Sequence, residues 1–201
     1  MYTFLHVGCG SKRKDGTTRG FAQPQWRELR LDIDRAAQPD VVASMTDMRE
    51  VGDASVDALF SSHNLEHLYP HEVPQALAEF RRVLKPGGYA VITCPDLQSV
   101  CERVAADQLT EPAYESPAGP IAAIDILYGH RDSIAAGKTF MAHRSGFTQR
   151  VLTGSLQAAG FALVLPYRRP HPNYDLWAVA ACAPLTPDAL VAAAREHLPV
   201  S

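Results

Sequence analysis

The stretch Tyr2–Ser11, YTFLHVGCGS, decides how the rest of the chain is read. Its first six residues are apolar or strand-favouring, and they stop at Gly8-Cys9-Gly10, where two glycines allow a sharp turn. In a parallel α/β sheet, ligands sit outside the carboxyl ends of the strands. A glycine turn after a first strand therefore offers bare backbone N–H groups to a ligand. Taken alone, Gly-x-Gly after an apolar run is also an ordinary turn, so its meaning depends on the residues C-terminal to it.

The next stretch, Lys12–Trp26, carries Gly16, Gly20 and Pro24 and has no apolar stripe of helical period. It predicts a loop with at most one helical turn, in which Lys12, Arg13 and Lys14 are solvated or face an anion. A second strand is then expected over Glu28–Ile33, ELRLDI, with Leu29, Leu31 and Ile33 on one side and Asp32 and Asp34 at its end. An acid at a strand tip about twenty residues beyond the glycines is placed to accept both hydroxyls of a ribose, which the spacing favours over the alternative of an Asp that caps the loop. Asp40–Ala43 reads as a short buried strand and Ser44–Asp53 as a polar connection whose Met45 suits a flat ring. Asp57–Ser61 is the fourth strand.

Length and composition bound the answer. The 201 residues are 46% hydrophobic, which suits one domain over 1–201 with a full core. No apolar run suits a membrane span, and the first residues lack a signal-peptide pattern, so a cytoplasmic protein without a membrane partner is expected. A formal net charge of −3 argues against a nucleic-acid-binding face. Cys9, Cys94, Cys101 and Cys182 have no metal spacing, and the last three lie in apolar surroundings that predict buried thiols.

The fourth strand opens into Ser62-His63-Asn64-Leu65-Glu66-His67-Leu68, the densest chemical cluster in the chain. His63, His67 and His71 recur every four residues around Glu66, as metal ligands on a helix would. Pro70 interrupts that face and the order His-Glu-x-x-His is absent, so cleft-lining histidines and no metal are expected. Glu72–Leu84 is an amphipathic helix with Val73, Leu77, Phe80 and Leu84 inward. Lys85-Pro86-Gly87-Gly88 is expected to stop it and turn the chain into a buried strand, Tyr89–Cys94, closed by Pro95-Asp96.

The order HVGCG, LRLDID, SVDALFSSHNLEHL and EFRRVLKPGGYAVITCPD resembles the class I S-adenosylmethionine-dependent methyltransferases, of small-molecule type, over Tyr2–Asp96. The resemblance implies an α/β, Rossmann-like fold: a seven-stranded, mostly parallel sheet with an antiparallel last strand and helices on both faces. It implies S-adenosyl-L-methionine as cofactor. Gly8, Cys9 and Gly10 match the loop at the methionine end, Asp32 the ribose acid, and Ile33, Ser44 and Met45 the adenine contacts. Ser62 and His63 match the motif lining the methyl-donating pocket. A dinucleotide dehydrogenase would instead want a third glycine and a helix where this chain has a loop. The chain departs from the family in Ser44, where many relatives carry Asp, and in the weakly marked helix after the first strand. A lid over the cofactor must then come from Lys12–Trp26 or from elsewhere.

Beyond the fifth strand, Leu97–Ala106 reads as a helix with Leu97, Val100, Cys101 and Val104 inward. Residues 107–146 form an irregular substrate region. Within it, Thr110–Gly146 is interrupted by Pro112, Pro117, Gly119, Pro120, Gly129 and Gly137 and carries Tyr114, Tyr128, Phe140 and Met141. Two His-Arg pairs, His130-Arg131 and His143-Arg144, are able to bind an anion or accept a proton, or to anchor loops through their arginines. Tyr128, Arg131 and Arg144 are the candidate substrate contacts. Thr148 is a candidate cap for a helix over Gln149–Ala159, Phe161–Tyr167 and Asp175–Cys182 form a closing antiparallel pair, and Pro187–Leu198 is a last helix. That helix is expected to pack outside the sheet or on a second copy in a homodimer.

Methyl transfer needs alignment more than acid–base machinery, but a hydroxyl acceptor needs a base, for which His63, His130 and His143 are the candidates. The Asn-Pro-Pro-Tyr motif of amino-group methyltransferases is missing after the fourth strand. Oxygen or carbon of a small molecule is therefore the expected acceptor. The alternative is an inactive binding or sensor protein that keeps the fold, against which Gly8, Gly10 and Asp32 together speak.

Overall fold

A computed structural model describes residues 1–116, 119–169, 171–184 and 186–199. The chain opens with β1 (Tyr2–Val7), then β2 (Trp26–Asp32) and β3 (Val41–Val42), each parallel to its neighbour. β4 (Val56–Ser62) returns to the other side of β1, helix α1 (Val73–Val83) comes next, and β5 (Leu84–Pro95) lies parallel beside β4. After α2 (Leu97–Ala105) comes a separate hairpin, β6 (Pro112–Ser116) with β7 (Gly119–Ala122), and two short helices, α3 (Ala123–Tyr128) and α4 (Arg131–Ala135). Helix α5 (Gln149–Ala158), β8 (Leu163–Arg168), β9 (Asp175–Ala181) and α6 (Pro187–His197) complete the order. Among the described residues seven strands form the main sheet in the order β3-β2-β1-β4-β5-β9-β8, with β9 antiparallel to both neighbours. This is the expected Rossmann-like class I arrangement. No helix in the described residues is long and apolar enough to cross a membrane.

Alternation along each strand sorts its side chains onto two faces. Leu5, Val7 and Leu59 go to one face with Leu77 and Phe80 of α1 and Leu152 and Leu156 of α5. Phe4, Phe60 and Val91 go to the other face with Phe21, Trp26 and Ala194 of α6. The β1–β2 connection contains a single 3-10 turn, Lys14–Gly16, where a crossover helix would ordinarily cover the sheet. Phe21 supplies that cover instead. Its ring is fully buried, stacks on Phe4 at 4.3 Å and meets Trp26 edge-on at 5.1 Å.

Several local expectations are corrected. Lys85–Gly88 does not separate α1 from β5. It bulges opposite Asp57, with Leu84 paired to Val56 and Tyr89 to Ala58. Asp57 holds the bulge through Lys85 Nζ at 2.6 Å while accepting the Thr3 N–H. Within region 107–146 the described residues include the β6–β7 hairpin and two short helices, α3 and α4; Pro117 lies outside the described residues. On α2 only Val100 is buried, and Cys101 and Val104 are exposed. The buried stripe there is narrower than the apolar pattern suggests. Thr148 does cap α5, accepting the Val151 N–H.

Helix α6 docks on the sheet through Ala194 and through a polar anchor, His197. His197 is 2% exposed, its Nδ1 lies 2.7 Å from Thr18 Oγ1, and its Nε2 lies 2.8 Å from the Tyr89 hydroxyl. Gly20 makes room for it: a Cβ there would meet the imidazole Cε1 at 2.4 Å. Burial pushes the His197 pKa from 6.5 down to about 4. Between those values the unfolded chain takes up a proton that the folded chain refuses, so stability falls as pH drops from 6.5 towards 4. The full loss is about 3 kcal/mol. Chemical unfolding of His197→Gln should show a correspondingly shallower decline over that interval. Identical acid limbs for variant and parent would refute the assignment.

Candidate functional site

The strand order reverses at β1, since the chain leaves it towards β2 and β3 and later returns on its far side as β4. Loops on either side of such a point diverge and leave a crevice at the carboxyl ends of the strands. Here the crevice is a cleft of about 530 Å³. Gly8, Cys9 and Gly10 line it from the tip of β1, and Asp32 and Ile33 from β2. Ser44 and Met45 come after β3, and Ser62 and His63 end β4. The structure thus gathers all nine proposed cofactor contacts around one cavity.

The glycine turn is held from three sides. The backbone N–H groups of Gly8 and Cys9 donate to the Leu31 carbonyl, and Gly10 N–H donates to Asp32 Oδ2 at 2.7 Å. Arg30, buried beneath, donates to the Gly10 and Gln38 carbonyls. Asp32 Oδ1 accepts the Asp34 N–H at 2.8 Å. Each Asp32 oxygen therefore commits one lone pair to backbone and keeps one for another donor. Burial raises the Cys9 pKa to about 11, so its side chain is a neutral thiol. Ile33 is 60% exposed and stands in the cleft, not in the apolar face its alternation suggested.

Sequence reasoning missed Asn64. Its Nδ2 donates to the Val7 and Ser62 carbonyls, both at 3.0 Å, and so ties the tips of β1 and β4 together. Gly8 sits against it at φ +64°, and a Cβ on Gly8 would fall 2.0 Å from Asn64 Oδ1. A polar residue two positions past a strand was the only local signal. The lid over the cleft also comes from a part of the chain that the sequence did not single out for it. Lys138, Phe140 and Met141, from the segment after α4, face the cleft, whereas of Lys12–Trp26 only Lys12 does.

A second cavity of about 490 Å³ adjoins the first, and His63, His67 and Met141 line both. Its walls include Glu66, Tyr114, His130 and His143. The three candidate bases thus meet at one chamber, with His63 at its throat. His63 Nδ1 is 3.4 Å from Glu66 Oε1, within ion-pair range but not aligned as a hydrogen bond. Desolvation opposes charge on both partners, but their mutual attraction outweighs it: the His63 pKa is raised and that of Glu66 lowered. His143, by contrast, is lowered by burial.

The expected substrate contacts fare differently. Tyr128 is 64% exposed, and neither it nor Arg131 lines either cavity. Arg131 is committed to Asp125 through paired bonds at 2.6 and 3.0 Å. Arg144 lines the first cavity, but its guanidinium donates to the His67 carbonyl and lies over the Tyr69 ring. Arg131 is thus taken up by Asp125, whereas Arg144 holds the loop at His67 and still borders the cleft.

Comparison with known proteins gives a domain match and fold similarities. Residues 5–92 match the family described as "Methyltransferase domain". A 108-residue stretch is 32% identical to an uncharacterized 37.1 kDa protein in transposon TN4556 of Streptomyces fradiae, covering 48% of this chain and 31% of that protein. The aligned stretch thus spans about a third of that relative. Among solved structures, a Pyrococcus horikoshii protein superposes with a TM-score of 0.60 at 14% identity, covering 90% of this chain and 81% of that one. The 1,6-didemethyltoxoflavin-N1-methyltransferase of Burkholderia thailandensis, solved with 1,6-didemethyltoxoflavin and S-adenosylhomocysteine, superposes with a TM-score of 0.53 at 18% identity, covering 90% and 70%.

Gly8→Ala should destabilise the protein by about 2 kcal/mol or more, since it adds left-handed strain to a steric clash. Asn64→Gly in the same chain should recover part of that loss. Urea unfolding of the two single variants and the double variant measures the coupling; additive effects would mean the two residues do not touch.

Proposed function

We propose that the chain, whose residues 5–92 match the methyltransferase-domain family, is a class I S-adenosylmethionine-dependent methyltransferase that methylates an oxygen or carbon of a small molecule. The cleft at the β1–β4 seam is the cofactor site and the chamber beyond His63 the acceptor site. The observation that carries this reading is the donor set of the cleft. Asp32 has one lone pair on each carboxylate oxygen for a vicinal diol, beside the glycine turn and the apolar surfaces of Ile33 and Met45. That set fits a ribose joined to a flat heterocycle. When bound, the cofactor supplies a methyl group on a sulfonium leaving group.

The residues divide the remaining work by position. Ile33 and Met45 hold the heterocycle, and Phe140 and Met141 close over the cleft and exclude water. His63 is assigned the proton of a hydroxyl acceptor because, of the three candidate histidines, it alone lines both cavities. Glu66 steadies the imidazolium that results, as a buried acid does behind a catalytic histidine. His130, held by Ser133 at 2.8 Å, and Tyr114 orient the acceptor.

Calorimetric titration with S-adenosylhomocysteine tests the cofactor site. Asp32→Ala should lose about a hundredfold in affinity or more, the worth of two hydrogen bonds to a charged group, and Asp32→Asn less. His63→Ala should bind S-adenosylhomocysteine normally yet transfer methyl groups about 10² to 10⁴ times more slowly to hydroxyl acceptors. Loss of cofactor binding in step with activity in His63→Ala would remove its role as base. A folded protein that binds neither S-adenosylmethionine nor S-adenosylhomocysteine would overturn the reading as a whole.

A further inference from the structure

The chamber beyond His63 holds a carboxylate without a hydrogen bond. Glu66 is 1% exposed, and neither of its side-chain oxygens has a hydrogen-bond partner. Its charged neighbour His63, 3.4 Å away and not aligned for a hydrogen bond, leaves lone pairs on both oxygens unused, and a bound cation would take them up. His67 and His143 stand beside it, their ring centroids 4.9 Å apart, and the ligating atoms of all three residues lie within 4.8 Å of one another. We infer that Glu66, His67 and His143 bind one divalent first-row transition-metal ion.

Tautomer chemistry supports the assignment. His67 Nδ1 lies 3.2 Å from the Ala142 carbonyl and His143 Nδ1 lies 2.7 Å from the Ile126 carbonyl. A carbonyl only accepts, so each Nδ1 carries the proton and each neutral ring keeps its Nε2 lone pair. A backbone carbonyl behind the non-ligating nitrogen is the usual support for a metal-bound imidazole. The two segments that supply the ligands are fastened together independently of any ion. The Glu66 carbonyl accepts the Arg144 and Ser145 N–H groups at 2.7 and 3.1 Å. His143 is thereby held beside a residue 77 positions earlier.

Two imidazoles and one carboxylate suit Zn²⁺, Co²⁺ or Fe²⁺ better than Mg²⁺ or Ca²⁺, which prefer oxygen throughout. Metal–ligand bonds are about 2.0–2.2 Å, so the three side chains close in slightly on an ion. Three protein ligands leave positions open, and all three residues line the acceptor chamber. One consequence rests on the proposed function: the acceptor is an oxygen-donor molecule, with vicinal hydroxyls or a hydroxy-carboxylate, held by the ion beside His63.

The metal alone is the first probe. Protein without a histidine tag is stripped with a chelator and titrated with Co²⁺, followed by ligand-field absorption and calorimetry, with Zn²⁺ as competitor. One equivalent should bind, and Glu66→Gln and His143→Ala should each weaken it at least about tenfold. His71→Ala, at an exposed histidine outside both cavities, should leave it unchanged. His143→Gln replaces the alanine variant if thermal unfolding shows that the latter has lost its fold. No stoichiometric binding, or binding that the Glu66 and His143 substitutions leave intact, overturns the site. Titrating the same samples with S-adenosylhomocysteine separates the two readings. Ion binding without nucleoside binding overturns the proposed function and keeps the metal site; nucleoside binding without ion binding does the reverse.

Discussion

A side-chain amide fills the place that a Cβ would occupy at the tip of β1. Asn64 reaches across the point where the chain's strands part, and Gly8 is what lets it come so near. Strand pairing aligns β1 and β4 as far as Val7 and Ser61, and the Asn64 bridge carries that alignment one step further, to the loops that form the two sides of the crevice. Asp32 is fixed to Gly10, and so to β1. His63 and Glu66 extend from β4, whose tip Asn64 ties to the Val7 carbonyl. That close contact, together with the strand pairing, joins the Asp32 side of the crevice to the His63 side.

The β-framework is legible in the sequence because its signals are local. Tyr2–Val7 is legible to the residue, and the order of strands comes from alternation, turn residues and strand-ending acids. Asp32 and the glycine turn are legible for the same reason. Lys85–Gly88 misleads because the chain alone does not reveal that Asp57 will pair with Lys85 across the sheet and absorb four residues as a bulge. Cys101 misleads because helix period places a residue on a face but not at its edge.

What cannot be read is whatever joins distant segments. Phe140 and Met141 come to the cofactor cleft, and His143 comes to Glu66, through backbone bonds between segments with no shared pattern. The histidines at 63, 67 and 71 look like a set because they recur in sequence. In space His63 and His67 reach the chamber, His71 does not, and His143 joins them from far along the chain. Arg131 shows the opposite limit: a guanidinium expected to face ligand is instead taken up by Asp125, which lies six residues away.

The sheet's second face is finished late. Thr18 finds His197 across 179 positions, and Phe21, Phe4 and Trp26 rely on that same helix for part of their cover. A ribosome delivers the aromatic patch well before its covering helix. Until then the cluster of large apolar rings lacks the part of its cover that α6 supplies, the kind of surface that chaperones hold and that neighbouring nascent chains stick to. The burden of making this protein thus falls on the interval before residue 197 emerges.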